Sequence, residues 1–463
     1  MRRRPLFKHI PAEKKLTQMT ETPVKRLIST LAVPTILSML VTSIYNMADT
    51  YFVSEIGISA TAAVGVTLPV MTLFSALGIT FGQGSGTSVS RLLGQKRQEE
   101  AETLISVAFF SSLLVGGLLA IAGIAFLESL VELLGATSSS APYAQDYLRI
   151  VFGGAPFIIA SVVLNNQFRF QGNAAFGTVG ILSGAVLNIA LDPLFIFGLS
   201  LGIKGAAWAT VLSQLFSFCL LVAGTRGGSN IRVSYRKFLP SRQRYRMIVL
   251  NGTPSFCRQA FASIAAILLN TMGKIYGGDV VVAAMTIVSR VTLFATYIIL
   301  GFGQGYQPVC GFNYGARLYH RVHEGFWFFV KTALVISAAL SVVGFIFAPE
   351  IIAAFQDSDP EVIRIGAGAL RLQCVIFPAM AWITPVTMTL QTIGYAYRAI
   401  FLSMCQKGLL FIPLVLLLPG AWGIFGIQVS QPLADLLTLA AALPLGIGVV
   451  KDLYKKSGGK QEE

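Results

Sequence analysis

Long apolar stretches recur along the chain from Leu27 to Val450, and they limit what it can become. About 18 such residues in a row, wound into a helix, reach across a ~30 Å hydrocarbon core. Hydrocarbon offers the backbone no hydrogen-bond partner, so a spanning segment must be a helix or part of a closed barrel. A barrel needs strict alternation in strands of ~10 residues, and the runs here are unbroken. The expected fold is therefore an all-α polytopic membrane protein. Twelve transmembrane helices are expected at 27–52, 60–86, 101–125, 145–170, 176–199, 202–224, 246–275, 279–310, 324–347, 362–393, 398–419 and 424–450. Composition agrees: 54% of residues are hydrophobic and 12% charged, about half the charge of a soluble domain. The start, MRRRPLFKHIPAEKKL, is basic, but no short apolar core with a small-residue cleavage site follows it. The first apolar run is expected to be a retained span.

A net charge of +14 raises the question of nucleic acid. The distribution of that charge answers it. Arg226, Arg232, Arg236, Lys237, Arg242, Arg244 and Arg246 fall between spans 6 and 7 with no acid among them. Arg91, Lys96 and Arg97 follow span 2, Arg317 and Arg321 follow span 8, and Lys451, Lys455 and Lys456 follow span 12. The alternate loops carry Glu128, Glu132, Asp279, Glu350, Asp357, Asp359 and Glu361. Positive residues stay on the cytoplasmic side, so both termini and the basic middle segment are expected there. Topogenesis and anionic lipid account for the excess, and no nucleic-acid partner is expected. The five cysteines lie in apolar spans without CxxC spacing, and His9, His320 and His323 lie outside them or at their edges. No metal site follows from these.

The chain repeats itself. FGQG occurs at 81–84 and again at 302–305, an offset of 221. Gly94 meets Gly315, Pro156 meets Pro378, FQGNA (170–174) meets TIGYA (392–396), Gly205 meets Gly426 and Pro34 meets Pro254, all within two residues of that offset. Each half holds six spans, so both enter the membrane the same way and form a parallel repeat, two pseudo-symmetric six-helix bundles. Such bundles usually enclose a cavity and rock about it. The expected organisation is a cytoplasmic segment at 1–26, a first lobe at 27–224 (spans 1–6), a basic cytoplasmic linker at 225–246, a second lobe at 247–450 (spans 7–12) and a cytoplasmic tail at 451–463.

A charge near the bilayer centre costs roughly 2.5–3.5 kcal/mol on insertion scales and marks function by default. Asp49, Asp192 and Asp435 lie well inside apolar spans. Asp192 is the only charge between Arg169 and Lys204. Asn188 precedes it by four residues and shares its helix face. Pro193 follows it, lacks an N–H and crowds the carbonyl of Ile189. Freed backbone groups are tolerated only against protein or a wet cavity, so proline and aspartate both point to an internal polar pocket. The plain alternative is a structural brace. Asp49 sits in YNMADTYFV with Tyr45 and Asn46 one turn earlier. Two such carboxyls near each other could hold a proton and release it to the other side, or hold Na⁺. At the repeat offset neither has an acidic counterpart, so coupling is assigned to the first lobe. Asp435 could join the cavity or merely pair with Lys274, Arg290 or Arg398, and pairing is the expectation. No Walker A, HExxH, GxSxG or dinucleotide fingerprint occurs. Neither an enzyme nor a nucleotide-driven pump is expected, and no cofactor beyond H⁺ or Na⁺ as coupling ion.

Taken in order, AVPTI, YNMADTYFV, FGQG with LLGQ, LNNQFRFQGNA, LNIALDPLFIFG, GIKGAAWAT and PVCGFNYGAR resemble the multidrug and toxic compound extrusion (MATE) family, in its DinF-like bacterial branch. The likeness covers about residues 20–450. It implies a cation-coupled antiporter of the bacterial inner membrane that exports amphipathic, often cationic compounds by alternating access and works as a monomer. By the same resemblance Asp49, Asn188, Asp192 and Thr210 are the ion-coupling residues, with Na⁺ a possible ligand. Asn165 and Asn166 match polar cavity residues of span 4. Tyr45, Asn46, Gln167, Gln171, Gln304 and Gln307 are further candidates for the substrate cavity. The related NorM-like branch carries acids in its second lobe that have no match here. Two other activities stay open: a flippase for lipid-linked precursors, which Arg169, Arg258, Arg290 and Arg398 would serve, and a membrane-embedded enzyme or receptor, for which no constellation is visible.

Overall fold

The computed structural model describes residues 12–227, 232–356 and 359–458, apart from the side chains of Ala12, Asn46, Arg226 and Gly227. Among the described residues the chain forms helices and no strand. A short helix α1 (Ala12–Glu21) precedes α2 (Val24–Ser54), α3 (Ile58–Gly94) and α4 (Gln98–Ala125). A two-turn α5 (Leu127–Leu133) leads to α6 (Ala141–Phe170), α7 (Ala174–Pro193) and α8 (Ile203–Gly227). The long α9 (Arg242–Gly315) is followed by α10 (Tyr319–Ile346), α11 (Ala348–Ala353), α12 (Pro360–Ile376) and α13 (Met380–Ile393). Last come α14 (Ala396–Met404), α15 (Phe411–Trp422) and α16 (Ile424–Lys456).

Eleven of these segments are long and apolar enough to cross a membrane. One of them, α9, has 74 residues, ~111 Å at 1.5 Å per residue, far more than one crossing. Its backbone breaks at Gly278, with φ 64 and ψ −157. That left-handed φ is open to glycine at no steric cost. The break falls where spans 7 and 8 were separated in the sequence, so α9 supplies two spans and the protein is multi-pass.

The chain divides into two compact units, residues 1–22 with 33–252, and 23–32 with 253–463. The two divisions, at 32/33 and 252/253, are themselves related by the repeat offset. The glycines of FGQG show why. A Cβ on Gly84 would collide with the Ile248 carbonyl and Gly252, and one on Gly305 with the backbone of Ala32. Each repeat therefore needs a bare helix face at this position, one to receive the start of α9, the other the start of α2.

In the first unit α6 is the central helix, packed against α3, α4, α7 and α8. Its apolar half joins Phe74, Val151, Phe152, Ala155 and Ile159 in one buried cluster, with Phe74 and Phe152 edge to face at 5.6 Å. Gly116 of α4 lies directly on the backbone of Pro156, so the proline kink of α6 is held by close helix approach. In the second unit α9, α11, α12, α15 and α16 build an apolar cluster that includes Val281, Met285, Ile352, Leu370, Phe411 and Ile427.

Candidate functional site

Asp192 sits in the last turn of α7 and is fully buried. Asn188, also buried, donates from Nδ2 to Asp192 Oδ1 at 3.3 Å, as their spacing of one helical turn requires. Pro193 closes α7. The chain then makes a wider, π-helical turn over Leu194–Gly198, a form that recurs at functional sites. Leu199 N–H bonds to the Leu194 carbonyl at 2.9 Å and Leu201 N–H to that of Phe195 at 3.1 Å. The turn ends with Ser200 and Gly202 at φ 53 and 54. It fits because α8 offers Gly205 beneath it: a Cβ there would stand 2.7 Å from the carbonyl of Phe195.

Asp49 lies on α2, half-buried, and its charge interacts with that of Asp192. A buried residue that sequence reasoning missed, Tyr147 of α6, interacts with both. Its hydroxyl interacts with Thr210 of α8 and lies within electrostatic range of Asp49, Asp192 and Tyr45. Four helices thus bring Tyr45, Asp49, Tyr147, Asn188, Asp192 and Thr210 to one locality. Nothing in the span 4 sequence distinguishes Tyr147 from an ordinary core aromatic. Only the packing of α6 at the centre of the unit selects it.

Three buried oxygens of this cluster, Asp49 Oδ1, Asn188 Oδ1 and Asp192 Oδ2, receive no hydrogen bond. Buried polar atoms are normally satisfied, and exceptions call for an explanation. A set of oxygens short of donors suits a proton, which would supply the missing donor, or a small hard cation, which takes oxygen ligands. No group of three or more His, Cys, Asp and Glu that could hold a metal ion occurs among the described residues.

The other candidates lie apart from this cluster or are already engaged. Asn165 donates to the Gly177 carbonyl at 2.7 Å, and Asn166 donates to the Val162 carbonyl and accepts from Arg169. Gln167 donates to Ser85 Oγ at 2.5 Å. Gln171 is buried in the turn after α6. Asn165 and Gln167 join α6 to α7 and α3, as polar side chains on a central membrane helix do, while the bonds of Asn166 stay within α6. Gln304 and Gln307 belong to the second unit, where Gln307 donates to Gln391 at 3.4 Å. The side chain of Asn46 lies outside the described residues, as do Arg226's and all of Asp357.

Asp435 corrects the sequence expectation. Its hydrogen bonds come from Gln373 at 3.0 Å, Gln406 at 3.1 Å and Gln431 at 2.9 Å. Its counter-charge is Lys407, which donates to Gln431 at 2.9 Å, and not Lys274, Arg290 or Arg398. Lys407 and Gln406 belong to a second π-helical turn, Cys405–Leu409, between α14 and α15. The default that flags intramembrane acids applies equally to lysine, and Lys407 was the available signal.

Known proteins share this fold. A family model, MatE, matches residues 34–194 and again 254–417, the two halves of the repeat. The multidrug export protein MepA of Staphylococcus haemolyticus is 26% identical over 439 residues, covering 94% of this chain and 95% of that one. MepA of Staphylococcus aureus (strain MRSA252) is 26% identical over 446 residues, covering 93% and 95%. Among solved structures, the outward-facing conformation of a multidrug resistance MATE family transporter of the MOP superfamily is similar with a TM-score of 0.89 and 26% identity, covering 97% of this chain and 100% of that one. A MATE in a bent conformation has a TM-score of 0.90 at the same identity and coverage. With both repeats matched by one family model and the fold shared end to end, the chain belongs to the MatE family of membrane transporters.

Proposed function

We propose that the protein is a cation-coupled antiporter that exports amphipathic, often cationic compounds from the cell by alternating access. The relatives' names, multidrug export protein, support export of small molecules. The coupling chemistry rests on one observation: two interacting carboxyls, Asp49 and Asp192, with three buried oxygens short of donors around them. Leaving a carboxylate uncompensated in a low dielectric is costly. Binding of H⁺ or Na⁺ relieves that cost, and its release restores it. Occupancy therefore biases any equilibrium in which the packing of α2 against α6 and α7 differs between two states. Asn188 and Thr210 orient the group, Asn188 directly on Asp192 and Thr210 through Tyr147. The protein would act as a monomer in the bacterial inner membrane, with both termini in the cytoplasm. Transport, not catalysis, is the proposed activity.

Everted membrane vesicles test this. Adding a cationic dye to energised vesicles should cause movement of H⁺ or Na⁺ that depends on the protein, and the moving ion identifies the coupling. Dye accumulation with neither ion moving would end the proposal.

A further inference from the structure

The second unit holds a cavity of ≈ 130 Å³ that the coupling reaction does not use. Asp435, Lys407, Gln373 and Gln406 line it together with Arg258 of α9. The charges do not balance. Asp435 and Lys407 neutralise each other, and three glutamine amides satisfy the carboxylate. Arg258 is left over. Its guanidinium carries five donors, yet it makes no hydrogen bond and no ion pair among the described residues. An intramembrane charge is normally paired, so an unpaired arginine on a cavity wall is a group whose partner comes from outside. The rest of the lining is suited to an apolar body: Phe377, Met380 and Met388 lie on the same cavity, and methionine adapts to varied shapes. The π-helical turn at Cys405–Leu409 presents Gln406 and Lys407, consecutive residues, to one cavity, a local deformation of the kind found at functional sites.

We infer that this cavity binds the carboxylate or other anionic group of an amphipathic molecule, with Arg258 as its counter-ion and the Asp435–Lys407 pair as a fixed polar wall. A lone acid–base pair braced by amides would explain Asp435 and Lys407 but leaves Arg258 without purpose. The site lies within the second unit and is independent of Asp49 and Asp192. Binding to it needs no gradient, so it stands or falls separately from the transport proposal.

Two dansyl probes that differ in one group test the inference. Dansylglycine carries a carboxylate, and dansylglycinamide replaces it with a neutral amide. Purified full-length protein in phosphatidylcholine nanodiscs is titrated with each, by fluorescence against empty nanodiscs. The carboxylate should bind at least about ten-fold tighter, the least that a charge-assisted hydrogen bond confers. Arg258→Gln should abolish that preference, and Arg258→Lys should keep part of it. Because Arg258 has no hydrogen bond or ion pair to lose, both variants should purify as monodisperse protein. Equal affinity for the two probes, no binding of either, or a preference unchanged in Arg258→Gln would overturn the inference. Should Arg258→Gln not fold, the wild-type comparison and Arg258→Lys decide alone. Repeating the titration with phosphatidylglycerol in the nanodisc separates sources of the anion. Loss of dansylglycine binding there would identify lipid as the occupant, and undiminished binding would identify a soluble amphipathic anion.

Discussion

Replacing Gly205 with alanine should damage the coupling site without touching any of its side chains. Gly205 lies in α8 beneath the wide turn that follows Asp192. An added Cβ would stand 2.7 Å from the carbon and oxygen of the Phe195 carbonyl and 2.8 Å from Ile196 N. Ordinary contacts begin near 3.4 Å, so the backbone must retreat by about 0.7 Å. All three atoms are main chain, and no flexible side chain can give way. Overpacking of this kind costs roughly 1–3 kcal/mol. The displaced turn begins two residues after Asp192, so its carboxyl moves with it. Gly153 is the control. It lies in α6, exposed, with nothing within 4 Å of an added Cβ, and alanine in a helix interior is worth about 0.5–1 kcal/mol over glycine. The two single-methyl changes should therefore differ in stability by roughly 1.5–4 kcal/mol with opposite signs. Thermal unfolding of the purified variants in one detergent measures this, and drug resistance of expressing cells measures function. Gly205→Ala should melt below wild type and lose resistance, and Gly153→Ala should melt at or above it and keep resistance. A Gly205→Ala protein as stable and active as wild type would refute the claim that the turn after Asp192 is held by contact with α8.

Asp192→Asn should abolish efflux in intact cells at normal expression, and unchanged efflux would remove Asp192 from the coupling step. Tyr147→Phe removes the hydroxyl that interacts with Thr210, Asp49 and Asp192; resistance should fall, and full resistance would reduce Tyr147 to a packing role. Asp435→Asn removes the counter-charge of the half-buried Lys407, so yield and melting temperature should drop. Adding Lys407→Gln should restore much of both, and no recovery in the double variant would contradict the pairing. The last prediction concerns pH. Lys15 of α1 is buried and donates to the Gly172 carbonyl at 2.6 Å, and burial pushes its pKa down from 10.5 to about 8. When α1 lets go, Lys15 regains its proton affinity, so the released state binds more protons between those two values. Docking of α1 should therefore tighten as pH rises from about 8 to 10.5, by at most about 3 kcal/mol. A spin label at the exposed Lys14 (as Lys14→Cys) should lose mobility over that range, and mobility that rises instead would show the sign to be wrong.

Much of the fold was legible in the residues. Hydropathy marked the spans, and the break between spans 7 and 8 fell at Gly278, where a single left-handed φ interrupts an otherwise continuous helix. The 221-residue offset announced the repeat, and the family match begins anew at 254 in the same register as 34. Asp49, Asn188 and Asp192 stood out because charge and amide are costly in hydrocarbon. Tyr147 and Thr210 differ. Neither is unusual in a membrane helix, and their meeting depends on α6 and α8 lying side by side. The second-lobe network was half legible: Asp435 was visible, but its glutamines come from α12, the Cys405–Leu409 turn and α16, and its lysine from that same turn.

The sequence by itself determined that the backbone must be helical, where it crosses, and which buried charges demand a reason, because these follow from the transfer cost of each residue taken with its near neighbours. The tertiary structure alone decided who answers each charge. Asp435 found glutamines and Lys407, Asp49 and Asp192 found each other and Tyr147, and Arg258 found none. Those outcomes depend on which faces of helices far apart in the chain come into contact, and short-range electrostatic and hydrogen-bond energies exist only once that contact is made.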